Sequence, residues 1–198
     1  MQLEHYRTIF IAIGLIGILL FASPTISLLV PAPADQRFSE LYLLGPNRML
    51  ENFPYNIFVG QNYSLYVGVG NHLGTAAYYT IYVKLLNQTD LIPNAISGIS
   101  SSLPPIYEYT FFLTSEGNWE EPLVFSVSEA SINGNQSIIS QLLINNVAFN
   151  VNKYSIKDTN STGFYYGLLC ELWVYNATTN SVQFHNRIVN LGLNLRLF

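Results

Sequence analysis

From Phe38 onward, apolar side chains recur at every second position, and that spacing leaves little choice of fold. Tyr63, Leu65, Val67 and Val69 alternate with Ser64, Tyr66, Gly68 and Gly70. Tyr79, Ile81, Val83 and Leu85 alternate with Tyr78, Thr80, Tyr82 and Lys84, and Leu123, Phe125 and Val127 with Val124, Ser126 and Ser128. The cleanest series is the last, Leu191, Leu193, Leu195 and Leu197 against Asn190, Gly192, Asn194 and Arg196. Successive side chains of a strand point to opposite faces, so each series predicts a strand with an apolar face inward and a more polar face outward. Turn signals separate the runs: Gly45-Pro46-Asn47, Asn71 to Gly74, Pro104-Pro105, Asn133-Gly134-Asn135 and Asp158 to Gly163. No segment reads as a convincing amphipathic helix. Gln136–Asn145, the one stretch that could be helical, is taken as a strand. Residues 90–105, DLIPNAISGISSSLPP, read as a long loop. The expected fold is all-β, an Ig-like antiparallel β-sandwich over residues 38–198.

The chain ahead of the strands is of another kind. No charged residue occurs between Arg7 and Asp35. A helix over Thr8–Val30 would span roughly 34 Å at about 1.5 Å per residue, enough to cross a hydrocarbon layer of ~30 Å. The reading is a polar cytoplasmic lead (residues 1–7), a transmembrane signal anchor (8–30), a linker (31–37) and an extracytoplasmic domain. Arg7 gives a weak positive-inside bias. The apolar run exceeds a signal-peptide core of about 7–15 residues, which favours retention over cleavage. Pro24 and the Ala32-Pro33-Ala34 triplet keep cleavage open.

Composition narrows the function classes. Charged residues make up 10% of the chain and aromatics 14%, with a net charge of −4, and the eight Lys and Arg form no basic run. The electrostatic footprint of a nucleic-acid binder is therefore missing. Cys170 is the sole cysteine, so no intrachain disulfide is possible and burial must hold the domain together.

Five Asn-X-Ser/Thr sequons begin at Asn62, Asn87, Asn135, Asn160 and Asn176, mostly at predicted turns or strand ends, as glycan acceptors on an exported domain would be. Asp158-Thr159-Asn160-Ser161-Thr162-Gly163 copies the first half of an EF-hand loop. Its twelfth position is Leu169 instead of a bidentate Glu, so a polar turn is the better reading than a calcium site. His72 and His185 have no metal-ligand spacing, and no metal or other cofactor is expected. Glu120 and Glu121 are neighbours on a strand and so cannot pair as catalytic carboxylates. Nucleophile-elbow, phosphate-loop and dinucleotide signatures are absent, and no enzymatic activity is expected. On the run 168–175, Leu168, Cys170, Leu172 and Val174 share one face, which makes Cys170 a small buried hydrophobe. Glu171, Trp173 and Tyr175 share the other. An outward aromatic platform there, or at Trp119, would suit a sugar, although packing under the long loop or across strands is the simpler reading.

Three blocks together resemble the archaeal uncharacterised membrane proteins grouped as domain of unknown function 1616. They are Arg37 to Pro46 with Phe53-Pro54-Tyr55-Asn56 and Val59-Gly60, then Tyr66 to His72 with Tyr79 to Leu85, and finally Glu171 to Asn176 with Phe184 to Arg187 and Leu191 to Asn194. The resemblance covers residues 37–198 and implies a membrane segment ahead of an extracytoplasmic β-rich domain in an archaeal envelope, with no known activity. The family pattern carries further membrane helices upstream and an acidic residue after the Asn-His pair, where this chain has Leu73. The expectation is a single-pass protein of the cell membrane, held in the lipid bilayer by residues 8–30. It would be N-glycosylated outside and have a structural or protein-interaction role with an envelope or membrane partner. Two alternatives differ in class: a secreted subunit of a surface filament or layer built by strand addition, and a carbohydrate-binding module.

Overall fold

The computed structural model describes residues 6–7, 9–18, 37–157 and 163–196. It divides into two units, Met1–Arg37 and Phe38–Phe198. In the first, residues 6–7 and 9–18 are helical. Among the described residues no helix is long and apolar enough to cross a membrane. Most of the predicted span 8–30 lies outside the described residues.

Among the described residues the second unit is all-β, with ten strands in two five-stranded sheets. Sheet 1 has the order β1 (Phe38–Leu44), β3 (Tyr63–His72), β6 (Asn118–Asn133), β7 (Gln136–Ile144), β8 (Val147–Ile156). Sheet 2 has the order β2 (Asn56–Ile57), β10 (Ser181–Leu195), β9 (Phe164–Asn176), β4 (Ala77–Asn87), β5 (Tyr107–Leu113). Neighbouring strands are antiparallel throughout except β2, which runs parallel to β10 through Asn194↔Asn56 and Leu195↔Ile57. The segment expected as a strand over Gln136–Asn145 is strand β7 over Gln136–Ile144, with Asn145 in the turn that follows.

The alternation packs as its period requires. Leu65, Val67 and Val69 from sheet 1 and Tyr79, Ile81 and Val83 from sheet 2 belong to one core with no solvent exposure, together with Leu123, Val127, Cys170 and Leu172. Turn chemistry sets the hairpins. Between β6 and β7, Gly134 takes φ +59 while Asn133 pairs with Gln136. Between β7 and β8 the two-residue loop is Asn145-Asn146 at φ +49 and +65, the left-handed pair that a type I′ turn needs and that Asn tolerates. Gly68 serves another purpose: a Cβ there would collide with the Tyr42 ring, so its absence leaves room for that ring over β3.

Where β1 meets β10 the sheets are joined by a buried polar chain. Tyr79 donates to Asn71 Oδ1 (3.0 Å), Ser39 Oγ lies 2.7 Å from the Tyr79 hydroxyl, and His185 Nε2 lies 3.0 Å from Ser39 Oγ. Since the amide oxygen can only accept, the protons order themselves: His185 donates to Ser39, and Ser39 to Tyr79. Arg187 Nε donates to the Ser39 carbonyl at 2.8 Å and ties the start of β1 to β10.

Candidate interaction surface

The two outward faces of the sandwich differ in chemistry. On sheet 1, the register that turns Val67 and Val69 inward turns Glu40, His72 and Glu120 outward. Arg48 Nε lies 3.2 Å from Glu120, and its guanidinium sits over the Tyr66 ring at 4.6 Å. His72 Nδ1 is 2.6 Å from Glu116, and that hydrogen bond raises the pKa of the ring above its usual value. The β1–β3–β6 part of this face is solvated and charged, while Ile138 and Tyr154 are exposed on β7 and β8.

Sheet 2 is different. The residues opposite in phase to Tyr79, Ile81 and Val83 are Tyr78, Thr80, Tyr82 and Lys84 on β4, matched by Phe112 and Glu108 on β5 and Trp173 and Glu171 on β9. Phe184 on β10 pairs with Trp173. Tyr82 meets Trp173 edge-on at 5.3 Å, and Trp173 meets Phe184 at 5.8 Å. Phe112 is 63% exposed, with Tyr78 and Tyr175 also open to solvent. Glu108 is exposed on this face. Lys84 and Glu171, expected outward and solvated, are 2% and 0% exposed.

The loop from 88 to 106 buries them. Lys84 Nζ donates to Glu171 (2.8 Å) and to the Ser101 carbonyl (2.8 Å), while Glu171 accepts from Ser101 N–H (2.6 Å) and Trp173 Nε1 (3.2 Å). Two of the three ammonium N–H groups and both carboxylate oxygens are thus engaged by the other partner, the loop backbone and one indole, which helps to keep two buried charges tolerable. The loop leaves β4 through Asn87. Its Oδ1 accepts from the Thr89 and Asp90 amides, and its Nδ2 donates to the Tyr154 carbonyl at 2.9 Å. At the far end Asn94 and Ile99 exchange backbone hydrogen bonds of 2.8 and 3.0 Å, and Asn94 Oδ1 caps the Ile96 and Ser97 amides. Held at three points, the loop presents aliphatic side chains to water: Ile96 is 99% exposed, Leu91 88%, and Ile92 and Ile99 are also exposed.

A third feature runs along the side where β5 overlies β6 and β8. Phe111 stacks on Trp119 at 3.9 Å and 6°, Tyr109 meets Trp119 edge-on, and Tyr107 meets Phe149. The adjacent groove, about 480 Å³, is lined by Tyr107, Tyr109, Glu121, Pro122, Val124 and the Asn145-Asn146 turn. The Tyr109 hydroxyl is fully engaged, donating to the Pro122 carbonyl and accepting from Asn145, and burial pushes its pKa up. Trp119 is thus seam packing, and Trp173 caps Glu171 while packing across strands. Neither stands out as a free sugar platform.

The predicted site residues fall in several places. Asn62 and Asn135 are exposed, and Asn176 is half-buried beside the β9–β10 turn. Asn160, with Asp158 to Thr162 of the EF-hand-like stretch, lies outside the described residues. Asn87 is buried, and its amide nitrogen donates to the Tyr154 carbonyl, a hydrogen bond that a glycan on that nitrogen would disturb. Leu169 is fully buried on β9 and offers no ligand. Among the described residues no three His, Cys, Asp or Glu side chains group to hold a metal ion. Cys170 is buried among apolar neighbours, which pushes its thiol up to about 12. Ser39 and His185 are at the separation of a nucleophile and base, but the hydroxyl is buried and its proton points to Tyr79, away from the imidazole. The sequence reading found neither the Lys84–Glu171 pair nor this chain. The phase of β4 and β9 put both charges on the outer face, and nothing local says that a loop crosses it.

A family model described as Domain of unknown function (DUF1616) matches residues 32–160, about two-thirds of the chain, leaving the Glu171–Asn194 blocks beyond its end. No curated protein matches. Among solved structures, the CARDB domain of the PF1109 protein from Pyrococcus furiosus, in complex with di-metal ions, aligns at 9% identity over 80% of this chain and 89% of that one, with a TM-score of 0.39. A beta-glucosidase from Listeria innocua aligns at 12% identity over 81% of this chain but only 16% of its own, with a TM-score of 0.38. A chain of the complex between Zinc 2-glycoprotein and Prolactin inducible protein from human seminal plasma aligns at 8% identity over 84% of this chain and 100% of that one, also at 0.38. The sandwich described above rests on strand pairing and a shared core, not on these likenesses.

Proposed function

The chain belongs to the Domain of unknown function (DUF1616) family, and from that footing we propose that it is a membrane-anchored extracytoplasmic β-sandwich that works by association within an archaeal cell envelope or membrane complex. The carrying observation is the outer face of sheet 2. An antiparallel sheet facing water on one side normally shows a polar face there. This one shows Phe112, Tyr78 and Tyr175 exposed, with Tyr82, Trp173 and Phe184 among them. Aromatic enrichment with charge depletion is the composition of an interface core. The apolar run Thr8–Val30 supports the anchor, and the open positions of Asn62 and Asn135 support glycosylation on the exterior.

Assembly by strand addition is less well supported. Asn152 on the β8 edge takes φ +45 beside a register shift, and Asn87 and Gln88 side chains occupy the Tyr154 and Ile156 carbonyls. Bulges and capped carbonyls are how edges are blunted. The test is a photo-crosslinking residue at Phe112 in the full chain, expressed in its native membranes, with a second placed at Ser64 on the opposite face. The expected result is one discrete adduct from position 112 and none from 64. Equal labelling from both positions, or a mature N-terminus near Asp35 by mass spectrometry, would overturn the reading.

A further inference from the structure

We infer that the aliphatic tip of the 88–106 loop docks into the lipid bilayer surface, resting on the anchored placement proposed above. Three observations lead there. The first is chemical. From Leu91 to Tyr107 the chain has no charged side chain, and its exposed large side chains are Leu91, Ile92, Ile96 and Ile99. Protein interfaces draw their anchors from Trp, Tyr and Arg, with Leu under-represented. The aromatic patch on the neighbouring part of sheet 2 has that composition, whereas the exposed large side chains of the loop tip are all aliphatic and its polar groups, Asn94 and Ser97, are uncharged, a make-up suited to shallow contact with the acyl boundary.

The second is mechanical. A flexible loop with four exposed aliphatics would fold them back onto the nearby aromatics. This one is held by the Lys84–Glu171–Ser101 cluster, by Asn87 at its start and by the Asn94–Ile99 backbone pair at its tip, so the apolar groups stay outward. Buried charges spent on keeping hydrophobic side chains in water make sense where the loop has another medium to meet.

The third is positional. The tip packs against β10 at Asn186, whose Oδ1 would lie 3.4 Å from a Cβ on Gly98. The next residue, Arg187, donates to Ser39, the second residue of β1. The tip and the start of β1 thus both contact the β10 bulge, at the consecutive residues Asn186 and Arg187. β1 is the first strand after the linker, so the tip and the chain's entry into the domain are both tied to that bulge. The net charge of −4 and the absence of basic residues on the loop point to apolar insertion rather than attraction to anionic headgroups.

The test uses the full chain reconstituted in phosphatidylcholine vesicles, with a solvatochromic fluorophore on Ile96→Cys and, separately, on Ser64→Cys. Both positions are exposed, and the buried Cys170 thiol stays unlabelled. The expected result is flotation with the vesicles, blue-shifted emission at 96, and loss of most of that emission when acyl-chain-brominated phosphatidylcholine is included. Quenching should be stronger with bromines near the glycerol end than near the bilayer centre, and position 64 should be unaffected. Added phosphatidylglycerol or salt should change little. Flotation with no more quenching at 96 than at 64 overturns the inference and leaves the anchored reading intact. A blue shift at 96 without bromine quenching means that a protein surface covers the tip, and also overturns it. Failure to float rejects the anchored reading itself.

Discussion

Replacing Lys84 by Met leaves the Glu171 carboxylate fully buried with its countercharge gone. Its remaining donors are the Ser101 amide at 2.6 Å and the Trp173 indole at 3.2 Å, both neutral. Removing one member of a buried pair costs about 3–5 kcal/mol, because the partner keeps the desolvation penalty without the attraction. Glu171→Leu strands the ammonium in the same way and should cost about as much. The double variant Lys84→Met/Glu171→Leu removes both charges, and what is left unmet is the Ser101 amide and carbonyl, at about 1–3 kcal/mol for each buried group, and the part-buried Trp173 indole N–H. The double variant should therefore be about as stable as either single one, and well above the sum of the two. For a domain of this size 1 kcal/mol moves Tm by about 2–4 °C, so each single variant should melt about 10 °C lower. Urea unfolding followed by tryptophan fluorescence measures all three, and amide exchange over residues 88–106 should accelerate in the double variant too, since its loop has lost its pin. Single variants costing under about 1 kcal/mol, or a double variant costing the full sum, would refute the account of the pair as a mutually dependent clamp.

Three further outcomes follow from the same geometry. Cys170, with its thiol raised to about 12 by burial, should resist maleimide at mildly alkaline pH in the folded chain and react once urea unfolds it; ready labelling of native protein would contradict its place in the core. The two domain histidines should tilt stability in opposite directions with pH. His72 gains a proton-accepting partner in Glu116, so its folded pKa is raised; its stabilisation is complete below about pH 6.5 and is lost as the pH climbs through the folded value. His185 is held neutral by burial and by Arg187, so its folded pKa is lowered; its contribution is present above about pH 6.5 and is lost as the pH falls through the folded value. Tm measured across that range should lose its alkaline decline in Glu116→Gln, and NMR titration should show the two imidazoles shifting opposite ways from the free value. Among the sequons, glycopeptide mass spectrometry of native material should find Asn87 bare, and Asn87→Gln, whose longer amide cannot cap Thr89 and Asp90 in the same way, should destabilise the loop without removing a glycan.

The strands were legible in the sequence because their signal is local. A period of two in Leu65, Val67 and Val69 can be met only by a strand with one face in the core, wherever its partners come from. The same holds for Cys170, placed inside by its phase with Leu168 and Leu172. The choice of strand over helix at Gln136–Ile144 is secured by the turns on either side, Gly134 and the Asn145-Asn146 pair, of which only the first stood out as a turn signal. The sequons were legible as motifs but not as sites. Whether an Asn-X-Thr carries a glycan depends on where its amide nitrogen points, and at Asn87 it points at a carbonyl 67 residues away.

What the sequence determined by itself is an all-β domain behind an uncharged apolar segment, because strand phase and hydropathy are properties of neighbouring residues. The tertiary structure alone decided which outward faces meet water. Phase put Lys84 and Glu171 outward, and phase was right, yet a loop folds across that face and buries them both. The two partners are 87 positions apart in the chain and are joined through Ser101, which belongs to neither strand. Solvation of an outward side chain is set by whatever else packs there, and that is a contact between distant segments which no local pattern encodes.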